Sequence, residues 1–191
     1  AMELHLLNLS KRHFTASWLL FCVLGLLATA GSAWAQAAKT AKPMAQNPVI
    51  LVVGDSLSAE YGLKRGTGWV ALLEKKLVDE KIKAAVGNAS ISGDTTSGGR
   101  SRLPALLARH KPTHVVIELG GNDALRGLPL AMTADNLAWM TDAAQKTHAK
   151  VLLVGMQLPP NYGADYSRQF AGTFDKTAAS KKTGLVPFFL K

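Results

Sequence analysis

Apolar positions fall in compact blocks along this chain, separated by short polar and glycine-rich junctions. The sharpest block, Val49-Ile50-Leu51-Val52-Val53, lies between Pro48 and Gly54. A short β-branched run with no polar alternation predicts a strand buried on both faces, the habit of parallel sheets. Residues 67–78 carry Trp69, Val70, Leu72, Leu73 and Leu77 at helical spacing, and residues 84–87 predict a second strand ending at Asn88. Residues 102–110, with Leu103, Leu106 and Leu107, predict a helix that stops at Lys111-Pro112, as helices before proline do. Strands follow at 113–119, 151–156 and 185–189, and helices at 133–148 and 166–182. Five strands with interposed helices predict an α/β fold, a doubly wound parallel sheet with right-handed crossovers.

That topology collects the residues after each strand on one edge, the edge where open α/β sheets bind ligands. Strand one delivers Gly54-Asp55-Ser56, strand two Asn88-Ala89-Ser90-Ile91-Ser92-Gly93-Asp94-Thr95, and strand three Gly120-Gly121-Asn122-Asp123. Ser56 is a nucleophile candidate there, although a serine after a strand also serves as a turn or helix-cap residue. A hydroxyl, a closely approaching backbone and a side-chain amide are together the parts of an acyl-transfer site. Phosphate cradling is the other use of such turns, but no Gly-x-Gly-x-x-Gly or Gly-Lys-Ser/Thr run is present.

The first residues read differently from the rest. Lys11, Arg12 and His13 precede an apolar stretch at 18–30, and Ala33-Trp34-Ala35 follows. A basic start, a short apolar core and an A-x-A site predict a secretory signal peptide over 1–35, cleaved after Ala35, rather than a membrane span of about 20 residues. Residues 36–47, rich in Ala, Lys and Gln without periodicity, predict a flexible linker before a domain at 48–191. The one cysteine, Cys22, lies in the leader, so the mature chain has neither disulfides nor thiolate metal sites. The expected location is periplasmic or secreted, with no stable membrane insertion after cleavage. Net charge is +9 over 191 residues, and losing Lys11, Arg12 and Glu3 brings it to +8. The cations are scattered, as in Lys75-Lys76, Arg100-Ser101-Arg102 and Lys181-Lys182, without interleaved aromatics. They read as solvated helix faces, and no nucleic-acid partner is expected.

Four blocks, Gly54-Asp55-Ser56-Leu57-Ser58-Ala59, Asn88 to Thr95, Glu118-Leu119-Gly120-Gly121-Asn122-Asp123 and Leu158-Pro159-Pro160-Asn161-Tyr162-Gly163, resemble in order and spacing the SGNH, or GDSL, hydrolase family. The likeness is to its bacterial periplasmic thioesterase, arylesterase and lysophospholipase members, and it runs from about Pro48 to the last residue. The resemblance implies a flavodoxin-like five-stranded parallel sheet. It also implies Ser56 as nucleophile, and an oxyanion hole from the Ser56 and Gly93 backbone N–H groups and the Asn122 side-chain amide. No metal or cofactor is implied, and the partner is a small acyl ester or thioester. Asp55 is expected to hold the turn by hydrogen bonding, and residues 125–130 to form an apolar lip over the acyl chain.

One family block has no counterpart. Members carry an Asp-x-x-His shortly after the fifth strand, supplying the general base and its orienting carboxylate; none occurs here. His110, His114 and His148 precede or open strands, at the amino edge, a strand's length of about 20 Å from Ser56. The expectation is a chain cut short before its base and last helix. The rival reading is a secreted acyl-ligand-binding module that turns nothing over; a nucleotide-binding flavodoxin-like domain is a weaker third.

Overall fold

The computed structural model describes residues 47–188. The predicted leader, almost all of the predicted linker, and the end of the predicted fifth strand lie outside the described residues. Five strands, β1 (Val49–Gly54), β2 (Ala85–Asn88), β3 (His114–Glu118), β4 (Lys150–Val154) and β5 (Gly184–Val186), form one parallel sheet in the order β2-β1-β3-β4-β5. Five α-helices connect them: α1 (Trp69–Asp79), α2 (Thr96–His110), α3 (Gly121–Leu125), α4 (Leu130–Lys146) and α5 (Ala164–Lys181), with a 3₁₀ turn at Pro160–Tyr162. The reversal of strand order falls between β1 and β3, and there the connections lead away on either side and leave a crevice at the carboxyl edge.

Period-2 alternation along the strands divides the core. Leu51, Val53, Val115, Ile117 and Leu153 point to one face, covered by Leu103 and Leu107 of α2, Leu137 and Met140 of α4, and Phe170 and Phe174 of α5. Val52, Val116 and Val154 point to the other, where Trp69 and Val70 of α1 pack. Register pairs Gly54 with Glu118 and Val52 with Asn88, so the polar junctions that follow these three strands share one edge.

Local departures from the sequence reading have local causes. Helix α2 begins six residues before the predicted Arg102. Thr95 caps it, accepting from the Gly98 N–H at 3.3 Å, and the buried Asp123 carboxylate accepts from the Thr96 N–H at 2.9 Å. Both satisfy first-turn donors, the Gly98 and Thr96 N–H groups, that would otherwise be left to water. Arg102 is not on a solvated face, whereas Arg100 is exposed. Arg102 forms an ion pair with Asp94 at 2.8 Å and also donates to the Ala89 and Gly54 carbonyls. Arg100 lies over the Trp139 ring at 4.9 Å and donates to Asn136. The predicted lip at 125–130 divides: Leu125 is exposed at the end of α3, whereas Leu130 opens α4 and packs on the core.

Candidate active site

The site is built from the turn that ends β1. Asp55 to Ala59 form one helical turn, closed by the Ala59 N–H donating to the Asp55 carbonyl at 2.9 Å and continued by the Tyr61 N–H donating to the Ser56 carbonyl at 3.1 Å. The Asp55 side chain holds it from within: Oδ1 accepts from the Leu57 N–H at 3.0 Å, and Oδ2 accepts from Asn122 Nδ2 at 3.0 Å. This is the turn-holding role expected for Asp55. Burial pushes its carboxyl above the usual range, against the Leu57 and Asn122 hydrogen bonds that lower it. Among the described residues, the Ser56 hydroxyl and backbone N–H are left without hydrogen-bond partners, half-buried at the pocket wall.

Asn122 is placed by backbone geometry. Gly120 has φ +124°, and a Cβ there would meet Phe174 and Thr133 at 3.2 and 3.4 Å, so a side chain would be both strained and crowded. That glycine lets β3 turn abruptly into α3, which carries Asn122 to Ser56. Both amide hydrogens of Asn122 are engaged, one by Asp55 and the other by the Asp94 carbonyl at 2.9 Å. The second bond ties α3 to the loop of Gly93, whose φ is +78° and whose carbonyl accepts from Arg126 at 2.9 Å. The Gly93 N–H, like that of Ser56, has no partner among the described residues. Ser56 and Asn122 line one pocket of about 210 Å³, walled by Leu125, Met156, Leu158 and Pro159. Gly93 sits one residue from the Asn122–Asp94 bond, outside that lining.

Three polar groups beneath the turn escaped the sequence reading. Glu118, 0% exposed, accepts from the Ser58 hydroxyl at 2.6 Å, and Trp69 Nε1–H donates to the same hydroxyl at 3.1 Å. Asn88 Nδ2 donates to the Ser58 carbonyl at 2.8 Å. The signal available was a single acid closing β3 directly after its apolar Val115-Val116-Ile117 run. No cluster of metal-ligating side chains occurs among the described residues.

The histidines lie where the strand order puts them. His110 ends α2, His148 follows α4, and His114 opens β3 opposite Ile50. From His114 the strand runs four residues to Glu118, about 13 Å at 3.3 Å per residue, before the edge that carries Ser56 is reached. A larger concavity of about 790 Å³ lies at that amino edge between α2 and α4, lined by Pro104, Leu107, Trp139 and Lys146. Size therefore does not select the reactive site; the free hydroxyl and the free N–H groups do.

Comparison with known proteins identifies the family. Residues 52–190 match the model of the GDSL-like lipase/acylhydrolase family. Esterase TesA of Pseudomonas aeruginosa is 58% identical over 142 residues, which cover 74% of this chain and 71% of that protein. Thioesterase 1/protease 1/lysophospholipase L1 of Escherichia coli is 42% identical over 142 residues, covering 74% and 67%. A crystal structure of TesA, 58% identical, superposes with a TM-score of 0.73 over 74% of this chain and 79% of that one.

Proposed function

The chain belongs to the GDSL-like lipase/acylhydrolase family and is a hydrolase of carboxylic esters, and from that premise we propose that it works through an acyl-enzyme on Ser56. Ser56 Oγ attacks the carbonyl carbon, a general base takes the hydroxyl proton, and the same proton leaves with the alcohol or thiol as the C–O or C–S bond breaks. Water then repeats the sequence and frees the acid. The Ser56 and Gly93 N–H groups and the Asn122 amide receive the oxyanion. Both amide hydrogens are held in the resting structure, one by Asp55 and one by the Asp94 carbonyl; the bond to Asp55 fixes the amide plane, and the hydrogen on Asp94 is the one the amide gives up to receive the oxyanion. No imidazole among the described residues reaches Ser56. The base is assigned to the Asp-x-x-His block that the family resemblance implies. The substrate range extends from aryl esters to thioesters and lysophospholipids, a reading supported by the names of an arylesterase of Vibrio mimicus and of the Escherichia coli thioesterase 1/protease 1/lysophospholipase L1.

The observation that carries this reading is the free Ser56 hydroxyl beside free N–H donors and Asn122 at the carboxyl edge. It also weighs against the binding-module alternative, which has no use for an uncommitted hydroxyl there. In the full-length protein Ser56→Ala abolishes p-nitrophenyl butyrate hydrolysis, Asn122→Ala lowers kcat by about 10²–10³, and His114→Gln and His148→Gln leave most of it. Full activity in Ser56→Ala, or its loss in either folded histidine variant, contradicts the assignment.

The periplasm is the proposed location, with residues 1–35 as its leader. No helix among the described residues is long and apolar enough to cross a membrane. N-terminal sequencing of the exported protein is expected to begin at Gln36; a mature chain that keeps its first 35 residues contradicts this.

A further inference from the structure

We propose that Glu118 is a positioning residue for Ser56, its carboxyl fastening both ends of the turn that carries the nucleophile. Oε2 accepts from the Ser58 hydroxyl at 2.6 Å on the far side of Ser56, and from the Asp55 N–H, a longer bond of 3.4 Å, on the near side. Ser56 lies between the two attachments. The assignment rests on the reading of Ser56 as nucleophile.

Packing shows that this contact is built rather than incidental. A Cβ on Gly54 would sit 2.5 Å from Ser58 Oγ and 2.7 Å from Glu118 Oε2, so glycine at 54 is what lets the carboxyl reach under the turn. Trp69 of α1 donates to Ser58 Oγ, which orients the hydroxyl hydrogen toward Glu118. The other carboxyl oxygen, Oε1, is buried with no partner among the described residues. A carboxylate would leave a charged oxygen bare at that point, and a buried bare charge is far costlier than a neutral acid. Burial first, then the neighbouring Asp55, pushes the pKa up to about 8.

The charges facing Glu118 come from every element around it. Asp55 at the end of β1 bears on it directly, and Asp94 and Asp123 act on Asp55 in the same sense. Arg102 of α2 reaches the Gly54 carbonyl and is paired with Asp94, while α1 contributes the uncharged Trp69. Ionising Glu118 therefore sets a second buried anion against Asp55, the residue that holds both the turn and Asn122. Repulsion there displaces Ser56 relative to its oxyanion donors. A displacement of about 1 Å in such a geometry costs on the order of 10²-fold in rate.

The test uses the full-length protein and p-nitrophenyl butyrate, with kcat and KM measured from pH 6 to 10. Glu118→Leu, which keeps the volume and removes the acceptor, is expected to lower kcat about 10–100-fold with KM changed less than about twofold. Glu118→Gln keeps an acceptor for Ser58 without a titrating group. It is expected to restore most of that kcat at pH 7 and to lack the fall in kcat, with a midpoint near 8, that is expected of wild type. The proposal is overturned if folded Glu118→Leu keeps wild-type kcat, or if the same alkaline fall persists in Glu118→Gln. Should Glu118→Leu fail to fold, the pH profile of Glu118→Gln decides alone. Ser56→Ala separates the two readings: its inactivity beside unaffected Glu118 variants overturns the positioning role only, whereas its activity overturns the nucleophile assignment and this proposal with it.

Discussion

Two carboxyls, Asp55 and Glu118, meet under a turn whose exposed product is one hydroxyl. Both are held above their usual range by burial, so the folded protein binds protons that the unfolded chain releases. For Glu118 the unfolded value is 4.5 and the folded value about 8. Between those values the unfolded state carries fewer protons, and stability falls as pH rises, by roughly 1.4 kcal/mol per pH unit for one group. Below pH 4.5 both states are protonated and the penalty is absent; above about 8 both are ionised and it is constant. Asp55 acts in the same direction. Glu118→Gln removes the larger part of this dependence. Its melting temperature relative to wild type is expected to rise by several degrees between pH 5 and pH 8, and a difference independent of pH contradicts the buried, neutral state of Glu118. Little of this was legible beforehand. The Gly-Asp-Ser junction marked Ser56, but no periodicity distinguishes a buried Glu at a strand's end from an exposed one.

At the scale of elements, the oxyanion side of the site is held by one helix terminus. Thr95 caps α2, Asp123 of α3 accepts from both the N–H and the hydroxyl of Thr96, and Asn136 of α4 donates to that same hydroxyl at 3.0 Å. Three helices thereby meet at one first turn, where a carboxylate also complements the helix dipole. Asp123→Ala leaves the Thr96 N–H buried and unpaired and is expected to cost about 1–3 kcal/mol in urea unfolding, with kcat lowered because Asn122 is adjacent. An unchanged midpoint contradicts the cap. The sequence placed the body of α2 through its leucines, yet missed its first turn, because Thr96-Ser97-Gly98-Gly99 has low helix propensity and its stabilising partner is 27 residues away. The short α3 was missed for the same reason: Gly121-Asn122-Asp123 reads as a turn, and tertiary bonds make it a helix.

For the whole molecule, β1 and β3 were legible with nearly correct bounds because strands buried on both faces leave uninterrupted apolar runs. Their parallel order fixed which junctions share an edge, and with it the placing of His110, His114 and His148 at the opposite edge from Ser56. The central claim is that the carboxyl edge presents Ser56 as the acylated nucleophile. Its most direct measurement is peptide mass spectrometry of the full-length protein after reaction with a fluorophosphonate, which captures the serine the site activates. The account predicts one phosphonyl adduct per chain, on the peptide containing Ser56 and absent from Ser56→Ala. An adduct on another residue, or labelling that survives in Ser56→Ala, would contradict it.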